Sequence, residues 1–455
     1  MEQPSITSTN PDYLIGIDGG HVVRVPVNAP DGRRANIGLS QTQQTVGATG
    51  VAGSTSTDLV MVDGVKFGRF PKVQRATLPV DNTFANAADW TIVNAANTTV
   101  AQASGAYPYA ASALRFASDA VAGQNATATQ DRTFNWNTVD GAWWVLNTNY
   151  RQTAANLGMT LYLSHLAGLA AGSGRFTVAN PISAFAVSLQ PFWVPKTAWT
   201  TLDGAPSFAT DILSYRVRVD SGASEPHSWD VCGMLNGGER PTVIFTFDDG
   251  WATSYSAGHV QARKRAIPLT HYLIPELIGA GGSITLAQAQ EMRAAGDSLG
   301  LHGNSRWDTA ISRIATDAAG LRALGLEADH AAYPEGQIGY GTAWQATEVA
   351  LRAVGVKTAR LAGGASPTLR SVGDPLALTS YPLNNSMTLA QAEAAVDTAI
   401  LSGGTTIFYG HQIAAVADSL TWVTADWIAL LDYCAQKRRE KAIDIKTMAD
   451  WWGNV

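Results

Sequence analysis

The part of the sequence that most constrains the fold is residues 243–250, which read VIFTFDDG. Its β-branched and aromatic residues predict a short buried strand, and two adjacent carboxylates, Asp248 and Asp249, follow where the strand ends. Adjacent acids that lose hydration repel each other, so a metal ion, a basic partner or a shared proton has to compensate them. Such strand ends carry the catalytic residues of α/β barrels. The same residues also suit a solvated turn in which Asp249 caps the next helix.

The chain divides into regions of different pattern. From about residue 238 predicted strands alternate with predicted helices, which is typical of a parallel sheet. Residues 79–235 contain short alternating runs between turn signals and few helical stretches, which predicts a β-sandwich or jelly roll. Residues 1–35 hold a β-hairpin signal around an Asp-Gly-Gly turn, and the Gln-, Thr-, Gly- and Ser-rich residues 36–78 predict a linker or extended segment. We therefore predict four regions, with residues 236–455 forming the α/β region.

Composition excludes several functional classes. The 455 residues carry a formal net charge of -6, without the basic stripe that a nucleic-acid binder needs. Cys232 and Cys434 lie far apart, so neither a disulfide framework nor a cysteine metal site is expected. No apolar run reaches the length of a membrane span, so membrane insertion is not expected. Because the N-terminus lacks the features of a secretory signal, either the signal was trimmed or the protein leaves its host by another route, such as a virus particle.

Four short motifs follow one another in the α/β region: TFDDG at 246–250, LGLHGNSR at 299–306, AYPEG at 332–336 and TIFYGH at 406–411. In this order they resemble the motifs of the polysaccharide deacetylases, carbohydrate esterases that remove N- or O-acetyl groups from glycans. The resemblance extends to about residue 415. It implies a distorted, incomplete (β/α) barrel.

The resemblance also implies one divalent metal, zinc first and nickel, cobalt or manganese as alternatives, held by Asp249 and His302. The family has a second histidine four residues after the first, but here that position is Arg306, which cannot ligate a metal. Asp308 is the expected replacement ligand, although it could instead cap the following helix, and His330 is a weaker alternative. Arg306 could also occupy the site itself and supply positive charge in place of the metal.

By the same resemblance, Asp248 would be the general base and His411 the general acid. The backbone amide of Glu335 would contribute to the oxyanion hole, since such a donor needs only main chain. The arginine that orients the catalytic aspartate in the family's third motif is absent, and Arg360, at the end of a predicted strand, is expected to replace it. The residues expected to bind substrate are Arg306, Tyr333 and Arg360.

The β-sandwich region is rich in tryptophan. It resembles the lectin-like sandwiches that precede some bacterial and phage deacetylase domains, and aromatic rings stack well on sugars, so carbohydrate binding is one interpretation. The other is that most of these rings form the core of the sandwich, which we favour. The tryptophans concerned are Trp136, Trp143, Trp144, Trp193, Trp199 and Trp229.

Taken together, the resemblance implies a metal-dependent deacetylase acting on an acetylated bacterial surface polysaccharide: capsule, O-antigen or exopolysaccharide. Residues 12–27 resemble the N-terminal segments of phage tail fibres and tailspikes. This implies a homotrimer in the virion that contacts other tail proteins and acts at the host cell surface. Two alternatives stay open: a catalytically inactive, glycan-binding receptor module that lost its metal site at Arg306, and a secreted, extracellular bacterial deacetylase.

Overall fold

The computed structural model describes strands of the first 82 residues and most of the chain after them. Up to residue 82 it describes Tyr13–Asp18, His21–Pro26, Thr57–Asp58, Met61–Val62, Val65–Phe67, Phe70–Pro71 and Val80–Asn82. Beyond them it describes residues 84–453 except 105–111, 120–124, 138, 149–158, 173, 180–187, 221–226 and 341–342.

The chain forms two compact units, Met1–Thr77 with Val455 and Leu78–Asn454. In the first unit, Tyr13–Asp18 pairs antiparallel with His21–Pro26, as the hairpin signal predicts. The segment 36–78, expected to be a linker or an extended segment, contains short strands. Val65–Phe67, which has β-forming residues at both ends, pairs with the first hairpin strand.

The second unit begins with two packed antiparallel sheets, each six-stranded within the described residues. One sheet, here called the barrel-facing sheet, contains in spatial order Ser188–Pro195, Gly141–Thr148, His227–Leu235, Ser112–Ser118 and Thr98–Ser104, with Val80–Asn82 paired to His227–Leu235. The other, here called the outer sheet, contains Thr200–Asp203, Arg175–Ala179, Met159–Ser164, Ile212–Asp220, Asn125–Phe134 and Thr91–Val93.

The strand Gly141–Thr148 is buried on both faces, which joins the sandwich to the barrel. Trp144 and Leu146 point into the sandwich core, whereas Trp143 and Val145 belong to a second cluster that includes Leu369 of the barrel. Trp143 Nε1 also donates a 2.9 Å hydrogen bond to the backbone oxygen of Ser402. Of the six tryptophans considered as glycan binders, all except the half-buried Trp193 are buried, as the core interpretation predicts.

Seven parallel strands of the described chain close into a barrel. They are Thr242–Phe247, Thr270–Leu273, Ser298–Leu301, His330–Ala332, Thr358–Gly364, Leu378–Leu383 and Thr405–Gly410. The first strand pairs with the second at Thr246 and with the seventh from Thr242 onward, which completes the closure. The sixth strand was not predicted from the sequence.

Helices cover the barrel. They are Ser254–His259 (a π-helical segment) continuing into Val260–Arg263, then Leu286–Ala294, Ser312–Ala323, Ala343–Ala353, Leu389–Ser402, Thr424–Arg439 and Met448–Gly453. Thr285 caps Leu286–Ala294 in a capping box with Gln288. None of the described helices is long and apolar enough to cross a membrane.

Candidate active site

A pocket of about 410 Å³ opens at the carboxyl ends of the barrel strands. Asp248 and Asp249 follow the first strand, His302 follows the third, and His411 follows the seventh. Because parallel strands end at the same rim, residues far apart in sequence meet here. Glu335, in the turn Pro334–Gly336 after the fourth strand, also lines the pocket.

Asp249 and His302 face each other across the pocket floor. Asp249 Oδ1 lies 3.3 Å from His302 Nε2, and His302 Nδ1 lies 2.7 Å from the backbone oxygen of Ala332. A carbonyl oxygen only accepts, so His302 Nδ1 carries a proton and donates it to Ala332. When the ring is neutral, His302 Nε2 therefore presents a lone pair to the Asp249 carboxylate, and the two acceptors need a cation between them.

A proton or a metal ion can be that cation. Burial opposes ionisation of Asp249, but the hydrogen bond and charge of His302 outweigh burial and lower the pKa of Asp249 to about 2. Burial likewise lowers the pKa of His302, but Asp249 outweighs it and the net direction is upward. Two ligands of a tetrahedral zinc, with bonds of about 2.0–2.1 Å, lie about 3.3 Å apart, so the observed separation also suits a metal.

The backbone of Asp249 is held in a strained conformation. Its φ of 67° lies in the left-handed region, which a residue other than glycine adopts at a cost of about 1–3 kcal/mol. Trp251 Nε1 donates a 3.0 Å hydrogen bond to Asp249 Oδ2, and His411 Nε2 lies 3.9 Å from the same oxygen. Sequence reasoning missed Trp251, although its position two residues after Asp249 suits a side chain that returns to the turn.

Asp248 is buried and ion-paired. Arg360 Nη2 contacts Asp248 Oδ1, and the side chains are 0% and 4% exposed. The guanidinium of Arg360 lies over the rings of Tyr272 and Tyr409, at 5.4 Å and 4.9 Å from their centroids. Arg360 thus holds the Asp248 carboxylate, and it lies inside the strand Thr358–Gly364 and not at its end, where the sequence pattern places it.

Glu335, which lines the pocket, has a backbone amide without an acceptor among the described residues. Glu335 has a φ of 55° and an exposed side chain. Hydrogen bonds from Gly336 and Gln337 to preceding carbonyls close the turn. The N–H of Glu335 has no acceptor among the described residues, so it is available to an oxygen atom in the pocket.

Several expected site residues are placed differently by the structure. Arg306 Nη2 and Asp308 Oδ2 lie 2.6 Å apart in an ion pair, and neither residue lines the pocket. Asp308 does not cap the next helix either, since Ser312–Ala323 has no side-chain cap.

Two of the residues expected to bind substrate are almost completely buried. Tyr333 is 1% exposed, and its hydroxyl donates to the backbone oxygen of Leu376 at 2.8 Å. Arg360 is 0% exposed behind Asp248, so it cannot touch a polysaccharide directly. A sequence pattern places each residue near a strand end but does not say which way its side chain turns.

One cluster in the described residues has three ligand atoms close enough to hold a metal ion: His259, His271 and Asp297, all buried between the barrel and its first helix. His259 Nδ1 lies 2.6 Å and His271 Nε2 lies 3.3 Å from Asp297 Oδ2. The other ring nitrogens, His259 Nε2 and His271 Nδ1, have no hydrogen-bond partner in the part of the chain that the structure describes. Metal-bound histidines nearly always donate their second N–H to an acceptor. This test favours Asp249 and His302 as the cation centre and a hydrogen-bonded network around Asp297.

His330, the weaker alternative ligand, lies away from the pocket. Its Nδ1 lies 2.8 Å from Thr358 Oγ1, and burial lowers the pKa of His330 to about 4. The unfolded chain, with an ordinary histidine pKa near 6.5, therefore binds more protons between pH 6.5 and 4, and stability falls as the pH falls through this window.

We expect the wild type to lose about 2 kcal/mol of unfolding free energy between pH 7 and pH 5 relative to His330→Asn, which cannot titrate there. Urea unfolding of both proteins at the two pH values checks this prediction. An equal loss in both proteins would contradict it.

No family model and no curated protein matches the chain. Solved structures resemble parts of it. A deacetylase from Streptococcus pyogenes, PplD, in complex with acetate is 19% identical with a TM-score of 0.25, and the match covers 28% of this chain and 57% of that one. The chain thus spans less than two thirds of that protein's length.

Two further similar structures differ in kind. A family 4 carbohydrate esterase from Streptomyces lividans, in complex with acetate, is 14% identical with a TM-score of 0.31 over 45% of this chain and 91% of that one. A family 11 carbohydrate-binding module from Clostridium thermocellum is 9% identical with a TM-score of 0.27 over 35% of this chain and 95% of that one. Matches of this size assign neither an activity nor a ligand to this chain. The solved structures that it resembles in part include deacetylases, carbohydrate esterases and carbohydrate-binding modules.

Proposed function

We propose that the barrel hydrolyses acetyl groups on a carbohydrate. The observation that carries the proposal is the convergence, in one pocket, of a cation position between Asp249 and His302, an ion-paired carboxylate at Asp248 and a second imidazole at His411. Hydrolysis of an amide or ester needs a base for the attacking water, an acid for the leaving atom and donors for the oxyanion. The pocket has residues for each task.

Asp249 Oδ1 and His302 Nε2 would hold a divalent cation, which when bound acidifies water and polarises a carbonyl group. Asp248 would take the proton of the attacking water while Arg360 holds its carboxylate in place. The amide of Glu335 would donate to the carbonyl oxygen as negative charge develops on it. His411 would protonate the leaving nitrogen or oxygen as its bond to the acetyl carbon breaks, giving acetate and the deacetylated sugar.

The cation site offers fewer protein ligands than most catalytic zinc sites. These have three protein ligands, and among the described residues no third histidine, cysteine or carboxylate converges with Asp249 and His302. Asn304 and Ser305 line the same wall as neutral oxygen donors. We therefore expect the cation to bind weakly and to be lost on dialysis.

The proposed substrate is an acetylated bacterial surface polysaccharide, and the proposed setting is a trimeric phage tail protein. The setting is supported by the resemblance of residues 12–27 to tail-fibre N-termini. A monomer in light scattering at micromolar concentration would argue against it.

The test of the proposed activity is acetate release in the presence of added zinc or cobalt. N-acetylglucosamine oligomers and acetylated xylan should be compared, because they separate amide from ester hydrolysis. We expect acetate from at least one of them, and complete loss of release with a chelator. No acetate from either substrate at any cation concentration would contradict the proposal.

A second candidate is a glycan-binding module without catalysis. It is favoured by one observation, that Arg306 stands where the family has a ligand and turns toward Asp308. Retention of glycan affinity in the absence of acetate release, with or without a chelator, would support this candidate.

A further inference from the structure

The solvent side of the outer sheet carries a continuous row of polar side chains, one from each strand. Cross-strand pairing sets them opposite each other, and they are, in order, Thr91, Thr129, Arg216, Tyr162, Thr177 and Thr200. We call this set the threonine–arginine row. The residues that alternate with them, such as Tyr215 and Val217, lie in the sandwich core, so the row lies on the opposite face. Thr129 is only 6% exposed, and the other five residues are partly or fully exposed.

Arg216 lies in the middle of the row with an unbalanced charge. Its Nε donates a 2.7 Å hydrogen bond to Thr129 Oγ1, and no carboxylate of the described residues lies within ion-pair distance of it. The neighbouring arginines of this face are paired, Arg175 with Asp203 and Arg218 with Asp220. Arg216 is only partly exposed. A guanidinium in this position gains most from an anion that arrives from outside.

The chemical groups of the row indicate which class of ligand it can bind. Without the buried Thr129, the row contains four hydroxyl groups, one aromatic ring and no aliphatic side chain of Val, Leu, Ile or Met type. The core of a protein interface needs apolar area that this row lacks. A nucleic acid would need several unpaired cations, whereas the row has one. Hydroxyls, a ring for stacking and one free cation suit a sugar chain that carries carboxylates.

The row is also long enough for a polymer. Five inter-strand spacings of about 4.8 Å give a length of about 24 Å across the sheet. We infer that the threonine–arginine row binds an acidic polysaccharide, with a sugar carboxylate on Arg216 and sugar hydroxyls on Tyr162, Thr177 and the outer threonines Thr91 and Thr200. This adds a glycan site to the proposed function and does not depend on acetyl hydrolysis.

The test is calorimetric binding of galacturonic acid oligomers and of their methyl esters to the full chain. These oligomers carry no acetyl group, so the result is independent of whether the barrel is a deacetylase. We expect the wild type to bind the acid more tightly than the ester. Arg216→Gln should weaken binding of the acid about tenfold or more, because a charged hydrogen bond is lost, and should leave binding of the ester unchanged. Arg439→Gln, which removes the same charge from an exposed barrel helix, should leave both unchanged.

Thermal unfolding checks that each variant is folded. A second variant, Tyr162→Phe, removes only one hydroxyl group from the row. We expect it to weaken binding of the acid and the ester by a similar, smaller factor. The inference is overturned if the wild type binds neither oligomer, if Arg216→Gln binds the acid as the wild type does, or if it loses acid and ester binding equally.

Discussion

Replacing Asp248 with asparagine is expected to lower kcat for acetyl release by a factor of about 10²–10⁴, the usual contribution of a general base. Asparagine keeps the size of the side chain but cannot accept the water proton at neutral pH. The measurement is initial-rate acetate release at saturating cation and substrate. Because Asp248 is not one of the two proposed cation ligands, cation affinity should change much less than kcat.

Asp329→Asn is the matched control. Asp329 is 44% exposed and pairs with Lys357 at 2.8 Å on the surface of the barrel. Exposed ion pairs contribute little, so this variant should keep the wild-type rate and stability. If Asp248→Asn also kept its rate within about threefold, the assignment of Asp248 as the general base would be wrong.

Replacing Arg360 with methionine is expected to lower the free energy of unfolding by about 3–5 kcal/mol at pH 7, because the carboxylate of Asp248 would stay buried without its partner. Both side chains are almost fully enclosed, so solvent can replace little of the charge compensation that the guanidinium provides. The measurement is urea unfolding. Adding Asp248→Asn to this variant should restore part of the lost stability, since the unpaired charge is then gone.

Arg240→Met is the control for the loss of an arginine ion pair. The Arg240 side chain is 51% exposed and lies 3.2 Å from Asp444, which is itself 36% exposed, so its removal should cost within about 1 kcal/mol. Equal losses for Arg360→Met and Arg240→Met, or no recovery in the double variant, would contradict the buried ion pair of Asp248 and Arg360.

The sequence predicted that the main polar residues of the pocket come together, because each of them follows a predicted strand. Asp248, His302 and His411 stand at the ends of three runs that read clearly as buried strands. Strand alternation with helices predicts a parallel barrel, and a parallel barrel brings strand ends to one rim. Arg360 was found by the same logic, as a charge at the end of a predicted strand.

The direction in which side chains turn was not predictable. Arg306 and Asp308 are two residues apart in a turn, and their mutual ion pair competes with any role in the pocket. His259 lies on a helix, His271 on a strand and Asp297 in the connection before the next strand, so the three meet only in three dimensions. No spacing rule connects them in the sequence.

The sequence does contain a signal for the packing of the sandwich against the barrel. Residues 142–146 read AWWVL, an apolar run without alternation, which is typical of a strand buried on both faces. The barrel covers the second face through Leu369 and Val372. The sixth barrel strand was missed because Pro382 lies within it and glycine-rich residues precede it, both of which lower the strand signal.

The most direct test of the proposed centre is the zinc dependence of acetate release after chelator treatment, measured for the wild type, His302→Gln and His259→Gln. The two variants make the same chemical change at the two competing cation positions. If Asp249 and His302 hold the cation, zinc should restore acetate release in a saturable way in the wild type and in His259→Gln. It should restore none in His302→Gln. Recovery in His302→Gln but not in His259→Gln, or release that is indifferent to zinc in all three, would contradict this assignment.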